Sequence, residues 1–413
     1  MTDRDELAAI KALITSGDDR AAFARVRARL GWPRGKELTD VAAWLEVLGH
    51  LAAGRGAGEL ADVAAAAVRD PDSPDHLYDL GYALIDAGAP SIAASVLWRC
   101  LSLVGDSEEV VCELVSALES ALAYNDAFAI LEQHASLRNR SFLCEYLYAF
   151  NAAMTGRLDT TRTVLARLTP DSPETESMKA TITAITERAD RIAGVSSLDE
   201  RDLRGWQYVL TGTLVAHQSP YGFEQPMHGR YAWLQDSIGR VATGIARLAP
   251  LVRALHVPCV YAPPGRNHEI LARAVSRMVD LPIAPWPAVG VPAPGLVVVY
   301  DLAELPAQDI QRLQQRKPDQ IVYAHASPWT QDFPIAPDVT TVLYQIIAAP
   351  WDGERTVEDV VAEIASSPGL DTEETSADDV TRWATLCEKA WPPLPGQRAR
   401  LWAGGPVPSN RFE

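Results

Sequence analysis

The chain has 413 residues, 47% of them apolar and 22% charged, and carries a formal net charge of −17. This length predicts two or three domains, each able to bury its own core, and the composition excludes extensive disorder. The acidity would repel a phosphate backbone, and no run of Lys and Arg overrides it, so we expect no nucleic-acid partner.

The chain begins with an acidic segment, MTDRDEL, where a secretory signal would need basic residues. No later apolar run reaches the ~18 residues that a bilayer crossing requires. We therefore expect a cytoplasmic protein that makes no membrane contact. The cysteines are odd in number and never form a CxxC pair, which favours small buried hydrophobes over nucleophiles. They are Cys100, Cys112, Cys144, Cys259 and Cys387.

Small and apolar residues recur every 34 positions between about Leu77 and Leu165. This period is typical of stacked helix pairs. Within one copy, Gly81 and Ala93 allow two helices to approach closely, and Gly88 ends the first helix in a left-handed conformation. The residues in register are Leu80, Leu114 and Tyr148; Gly81, Val115 and Ala149; Gly88, Leu122 and Gly156; and Leu97, Leu131 and Leu165.

The segment from Leu77 to Leu101 resembles the tetratricopeptide repeat in its Leu-Gly pair, its turn glycine and the small residue of its second helix. The next copies depart from that pattern at Val115, Leu122, Thr161 and Tyr148. A copy upstream includes Gly56, 32 residues before Gly88. The resemblance implies a tetratricopeptide-like α-solenoid over residues 1–195, with three to five helical hairpins. We expect helices around Asp5–Thr15 and Ser177–Ile192 to cap it.

From residue 200 the chain predicts strands separated by helices, which indicates an α/β domain with a mainly parallel sheet over 200–390. Residues 206–217 read as a strand or a buried helix, and a long loop follows. Residues 391–413 read as a Pro-rich extended tail. The expected strands are HVPCVYAPP, Leu281–Ala284, GLVVVYDL, QIVYAHA and TTVLYQII, and the expected helices are Ser237–Leu255, Glu269–Met278, Pro306–Gln315, Val357–Ser366 and Ala377–Lys389.

Polar residues follow three of these strands, and ligands of open parallel sheets lie beyond the carboxyl ends of strands. The candidate ligand-binding residues are Arg266, His268, Asp301 and His325. If they share one pocket, Arg266 would hold an anion, His268 or His325 would act as acid or base, and Asp301 would orient them.

Residues 237–302 resemble the core of a phosphoribosyltransferase in their order of helix, strand, Gly-Arg loop, helix and strand. The defining loop of that family has two adjacent acids followed by a Thr-Gly-rich turn. Here the matching segment reads YDLAE, and only Asp301 carries over. The missing hydroxyls and turn imply that a domain of this type has lost its phosphate cradle and its transfer chemistry.

A loop rich in aromatic and polar residues offers a second set of candidates. His217, His228 and Glu224 could hold a metal ion, but they lack the spacing of a zinc helix, so we expect no metal and no cofactor. The loop either covers the sheet end or contributes to a ligand pocket. Its other candidates are Tyr221, Arg230, Tyr231 and Asp236.

No nucleophile elbow, P-loop or dinucleotide motif is present, and GRGAG at Gly54–Gly58 reads as an inter-helix turn. The leading hypothesis is a cytoplasmic adaptor whose helical array binds a protein partner or a second copy of itself. Its candidate surface residues are Tyr82, Asp79, Glu113 and Glu145. The alternatives are an enzyme, or a phosphate- or nucleotide-binding module with a pocket near Asp301, and a structural subunit of a larger assembly.

Overall fold

The computed structural model describes residues 3–221, 227–393 and 400–409. Its internal contacts divide the chain into two units. The helical unit comprises Met1–Thr155 and Asp159–Glu176, and the α/β unit comprises Gly156–Leu158 and Ser177–Glu413. The expected fold class, a helical array followed by an α/β domain with a parallel sheet, is confirmed.

Helices account for nearly all the regular structure up to Arg191. In chain order they are α1 (Asp3–Thr15), α2 (Asp19–Leu30), a 3-10 turn (Arg34–Glu37), α3 (Val41–Gly54), α4 (Gly58–Arg69), α5 (Pro74–Asp86), α6 (Pro90–Val104), α7 (Glu108–Ser120), α8 (Tyr124–Gln133), α9 (Ala135–Arg138), α10 (Phe142–Met154), α11 (Leu158–Leu165) and α12 (Pro173–Arg191).

Three consecutive hairpins, α5–α6, α7–α8 and α10–α11, repeat with the spacing that the sequence predicts. Their first helices begin at residues 74, 108 and 142, and their second helices begin at 90, 124 and 158. Each first helix has a serine N-cap whose hydroxyl accepts from the backbone N–H three residues later; the caps are Ser73, Ser107 and Ser141. The turn residues Gly88, Leu122 and Gly156 have φ values of 74°, 59° and 80°.

Small residues permit the close helix contacts that the register predicts. A Cβ atom on Gly81 would lie 2.5 Å from Cγ of Leu97, so the Leu97 side chain of α6 packs directly on the backbone of α5. Thr161 occupies the small position of the third copy, where its buried hydroxyl donates to the carbonyl of Ala149 at 3.4 Å. The departure from the repeat pattern at Thr161 is therefore accommodated by a local hydrogen bond.

The α/β unit contains six further helices and seven strands among the described residues. The helices are α13 (Leu203–Thr211), α14 (Ile238–Leu255), α15 (Arg266–Val279), α16 (Ala307–Gln314), α17 (Val357–Ser366) and α18 (Ala377–Ala390). The strands are β1 (Leu214–Val215), β2 (Tyr231–Gln235), β3 (Val260–Tyr261), β4 (Ile283–Ala284), β5 (Gly295–Asp301), β6 (Gln320–Pro328) and β7 (Val339–Ala348).

The strands form one sheet in the order β1-β7-β6-β5-β3-β4, and β2 also pairs with β7. Every ladder is parallel. Every residue of β5 and β6 is buried, as expected for central parallel strands covered on both faces. One face packs its β5 and β6 side chains into a core that includes Val297, Val299, Val322 and Ala324.

The structure differs from the sequence expectation in the loop after His217. The loop expected after His217 contains the strand β2, which pairs with β7 from Tyr231 opposite Tyr344 to Gln235 opposite Ala348. Sequence alternation is weak over these five residues, so tertiary pairing decides their conformation.

Residues 206–217, expected to form a strand or a buried helix, contain both. α13 is followed by Gly212 in a left-handed conformation, which ends the helix, and the strand β1 comes next.

The tail is described only at residues 391–393 and 400–409. Leu401 forms an isolated antiparallel bridge with Phe333, with hydrogen bonds of 2.9 and 3.0 Å between their backbones. No helix in the described ranges has the length and hydrophobicity needed to cross a membrane.

Candidate functional site

The carboxyl ends of the parallel strands meet at one edge of the sheet. The register sets Asp301 opposite Ala326, and Pro328 opposite Tyr344. The chain moves outward from β3 to β4, but from β5 it moves the other way to β6 and β7. The strand order therefore switches between β3 and β5, which is where open parallel sheets form a ligand crevice.

Asp301, at the end of β5, is held by two hydrogen bonds. Its Oδ1 accepts from the backbone N–H of Ala303 at 2.9 Å and from the hydroxyl of Tyr344. Burial raises the pKa of Asp301, although these bonds oppose the rise. Asp301 thus caps the short turn that follows β5 and ties it to β7.

His325 forms a buried pair with Asp236. Its Nε2 lies 2.9 Å from Oδ2 of Asp236, and neither side chain has exposed surface. Tyr300 donates its hydroxyl to the same oxygen at 2.9 Å, and its ring stacks on His325 with centroids 5.4 Å apart. Burial and the adjacent Asp236 raise the pKa of Tyr300, so its hydroxyl keeps the proton it donates.

Arg240 completes this group from the first turn of α14. It donates to Oδ1 of Asp236 at 3.2 Å and to Glu374 at 2.6 Å. Desolvation would raise the pKa of Asp236, but His325 and Arg240 outweigh it, so the pKa is lowered. The carboxylate is therefore ionised and tethers β6, β5 and α14 through three different partners.

His268 and Arg266 lie in the first turn of α15. His268 is buried, and its Nδ1 accepts from the backbone N–H of Tyr300 at 3.1 Å. Burial lowers the pKa of His268 to about 4, so the ring is neutral at pH 7. Arg266 donates to the carbonyl of Arg355 at 2.5 Å.

Three of the four predicted residues thus converge on Tyr300. His268 binds its backbone, His325 stacks on its ring, and Asp301 follows it in the chain. Strand alternation nevertheless points Asp301 to the opposite face of the sheet from Tyr300 and His325. Arg266 donates instead to the backbone carbonyl of Arg355.

A second buried group lies between α13, α14 and α18. Asp379 pairs with Arg204 at 2.9 Å and with Arg247 at 2.8 Å. His217 bonds Tyr231 at 2.9 Å, and burial followed by the charges of Arg247 and Arg240 lowers the pKa of His217 to about 3. His217 therefore stays neutral and acts as a hydrogen-bonding core residue.

Among the loop candidates, the structure separates core residues from exposed ones. Arg230 is buried, with its guanidinium 5.6 Å from the ring of Trp329, whereas Tyr221 is 63% exposed. His228 is buried and has φ of 45°. Glu224 lies outside the described residues. Within the described ranges, no cluster of three or more His, Cys, Asp or Glu could hold a metal ion.

The helical unit carries a surface of carboxylates and tyrosines on α5 and α7. Burial and the charges of Glu113 and Glu109 raise the pKa of Tyr78 to about 12. Burial, Asp86 and Glu109 raise the pKa of Glu113. Tyr82 is 52% exposed beside them. This acidic surface is Tyr78, Tyr82, Asp86, Glu109 and Glu113.

Glu145, expected on the accessible surface of a first helix, is instead buried. It is 7% exposed and lies 3.7 Å from Arg138 and in contact with Arg167. Its charge is therefore matched inside the helical unit, whereas Asp79, Tyr82 and Glu113 keep accessible surface.

Several residues of these groups escaped the sequence analysis. Tyr300 and Tyr344 sit inside strand segments that read as apolar, and Arg240 reads as one more polar position of a helix. The spacing of Asp236 and Arg240, four residues apart across a helix start, was the available signal.

Comparison with known proteins adds no identification. The sequence matches no protein-family model and no curated protein.

Proposed function

We propose that the helical unit is a tetratricopeptide-like module through which this chain binds another protein. The observation that carries the proposal is the common spacing of 34 residues for first helices, second helices, serine caps and turns in three successive hairpins. Arrays of this kind bury a continuous core and leave their first helices available to partners. The α/β unit would then add a second surface or a ligand-responsive element.

The acidic surface favours a partner segment rich in Lys and Arg. Glu113 lies close enough to Asp86 and Glu109 for their charges to raise its pKa, so an incoming cation would relieve repulsion as well as form ion pairs. The exposed ring of Tyr82 can add a cation–π contact. Such a partner would bind faster and more tightly at low salt.

The test is fluorescence anisotropy of the whole chain with a labelled peptide that alternates lysine and leucine. We expect binding that weakens with added salt, and a loss of roughly tenfold or more in affinity for Glu109→Gln/Glu113→Gln. A peptide with glutamate in place of lysine should not bind.

The matched control is Asp62→Asn, which removes an exposed carboxylate from the second helix α4. Its affinity should equal that of the unchanged chain. Equal affinities for the double variant and the unchanged chain, or an equal loss for Asp62→Asn, would refute recognition at the acidic surface.

The switch point between β3 and β5 favours a second candidate, binding of a small phosphate compound by the α/β unit. The loop after β3 leads directly into α15 with Gly265 as N-cap, and Arg266 begins that helix. Isothermal titration with inorganic phosphate and ribose 5-phosphate tests this. Heat of binding that disappears in Arg266→Ala supports it, and absence of heat with both compounds rejects it.

A further inference from the structure

Two cysteines of the helical unit face each other across consecutive hairpins. Sγ of Cys112 on α7 lies 3.6 Å from Sγ of Cys144 on α10, and neither is in a disulfide. They are 32 residues apart, so no CxxC spacing announces the pair. We propose that Cys112 and Cys144 form a dithiol that a peroxide converts to an intramolecular disulfide.

The local environment differs for the two thiols. Cys144 is buried in the first turn of α10, where its backbone N–H donates to the cap residue Ser141 at 3.2 Å. A helix N-terminus favours a thiolate. The hydrogen bond from Cys112 lowers the pKa of Cys144, and the same contact raises that of Cys112.

Access favours Cys112 as the first site of oxidation. Cys112 keeps partial exposure, whereas Cys144 is buried. Cys112 also occupies the same repeat position as Tyr78 and Tyr146, which lie 34 residues before and after it on the neighbouring first helices. An oxidant arriving from solvent therefore meets Cys112, with Cys144 behind it to resolve the product.

The chemistry balances with one peroxide. The sulfur of Cys112 attacks a peroxide oxygen as its thiol proton passes to the sulfur of Cys144, which accepts its hydrogen bond, and from there to the departing hydroxide. The O–O bond breaks, and the sulfenic acid of Cys112 forms with release of one water. The sulfur of Cys144 then displaces the hydroxyl from that sulfenic acid, forming the S–S bond, and its proton leaves with the hydroxyl as a second water. The two sulfurs lose two electrons in total, and they must approach by roughly 1.5 Å.

The whole chain is treated with one equivalent of hydrogen peroxide and its thiols are counted after unfolding. We expect the count to fall from the five cysteines to three, with a mass loss of about 2 Da that a reductant reverses. Cleavage after glutamates separates Cys100 from Cys112, so peptide mapping identifies the bonded pair directly.

Variants provide the control. Cys112→Ser should retain four thiols and show no mass loss, whereas Cys259→Ser, which removes another partly exposed cysteine, should still lose two thiols. Mapping on the unchanged chain stays informative even if a variant folds poorly. A stable sulfinic acid, a disulfide between chains, or a pair other than Cys112 and Cys144 would overturn the proposal.

Discussion

The imidazole of His325 lies 2.9 Å from the carboxylate of Asp236, and both side chains are fully buried. The two residues are 89 positions apart and join β6 to the start of α14. Removing one partner of such a pair leaves the other buried without compensation.

Asp236→Ala should therefore lower the free energy of unfolding by about 3–5 kcal/mol, because His325, Tyr300 and Arg240 all lose their common acceptor. Urea unfolding followed by tryptophan fluorescence measures this. The exposed Asp319 is the matched control, and Asp319→Ala should stay within about 0.5 kcal/mol of the unchanged chain. A small effect at Asp236 would show that the pair does not anchor the sheet.

Acid should destabilise the α/β unit below pH 6.5, because the folded pKa values of His217 and His268 are about 3 and about 4. Between these values and about 6.5 the unfolded chain binds more protons, so stability falls as the pH falls. Each histidine contributes up to ~1.4 kcal/mol per pH unit in that window. Asp236, whose folded pKa is lowered, adds a further loss in acid, below its unfolded pKa of about 3.9.

Urea titrations at several pH values measure this slope. His217→Gln should reduce it, whereas substitution of the exposed His50 by Gln should leave it unchanged. A slope that does not respond to His217→Gln would contradict the assignment.

Leu122→Gly should stabilise the helical unit. Leu122 has φ of 59° at the turn where the neighbouring repeats carry Gly88 and Gly156, and a left-handed residue with a Cβ costs about 1–2 kcal/mol. Loss of its half-buried side chain offsets part of this, so we expect a net gain of about 0.5–1 kcal/mol. Thermal unfolding by circular dichroism measures it, and Leu143→Gly within α10 should instead destabilise by about 1 kcal/mol.

Gly81→Ala should destabilise the same unit by about 1–3 kcal/mol, because the added Cβ would lie 2.5 Å from Leu97. Gly58, at the start of α4, has no atom within 4 Å of the equivalent position. Gly58→Ala should therefore be neutral or slightly stabilising. Urea midpoints compare the two directly, and equal effects would mean that α5 and α6 are not in close contact in solution.

The repeat register and the strand runs were readable because their physics is local and periodic. Ser177–Ile192 and Val357–Ser366 needed only apolar spacing and capping residues, and the structure has α12 and α17 there. β2 was missed because its five residues, bounded by Arg230 and Asp236, acquire their strand conformation from pairing with β7. Tyr300 was missed because an aromatic residue inside an apolar strand has the same local pattern whether or not its hydroxyl binds Asp236.

Contacts between residues on separate elements could not be predicted from the sequence. The partners of Asp379 and of Cys112 come from elements whose separation along the chain carries no information about their distance in space. Only the sheet order and the stacking of hairpins bring them together.

The serine caps Ser73, Ser107 and Ser141 divide this part of the helical array into segments of equal length. Excision of residues 107–140 would bring Ser141 to the place now held by Ser107, so the following helix would start in phase with its own hydroxyl already in position. Each such segment carries its own cap serine and its own turn residue, so removal of one segment would leave the start signals of the flanking first helices intact.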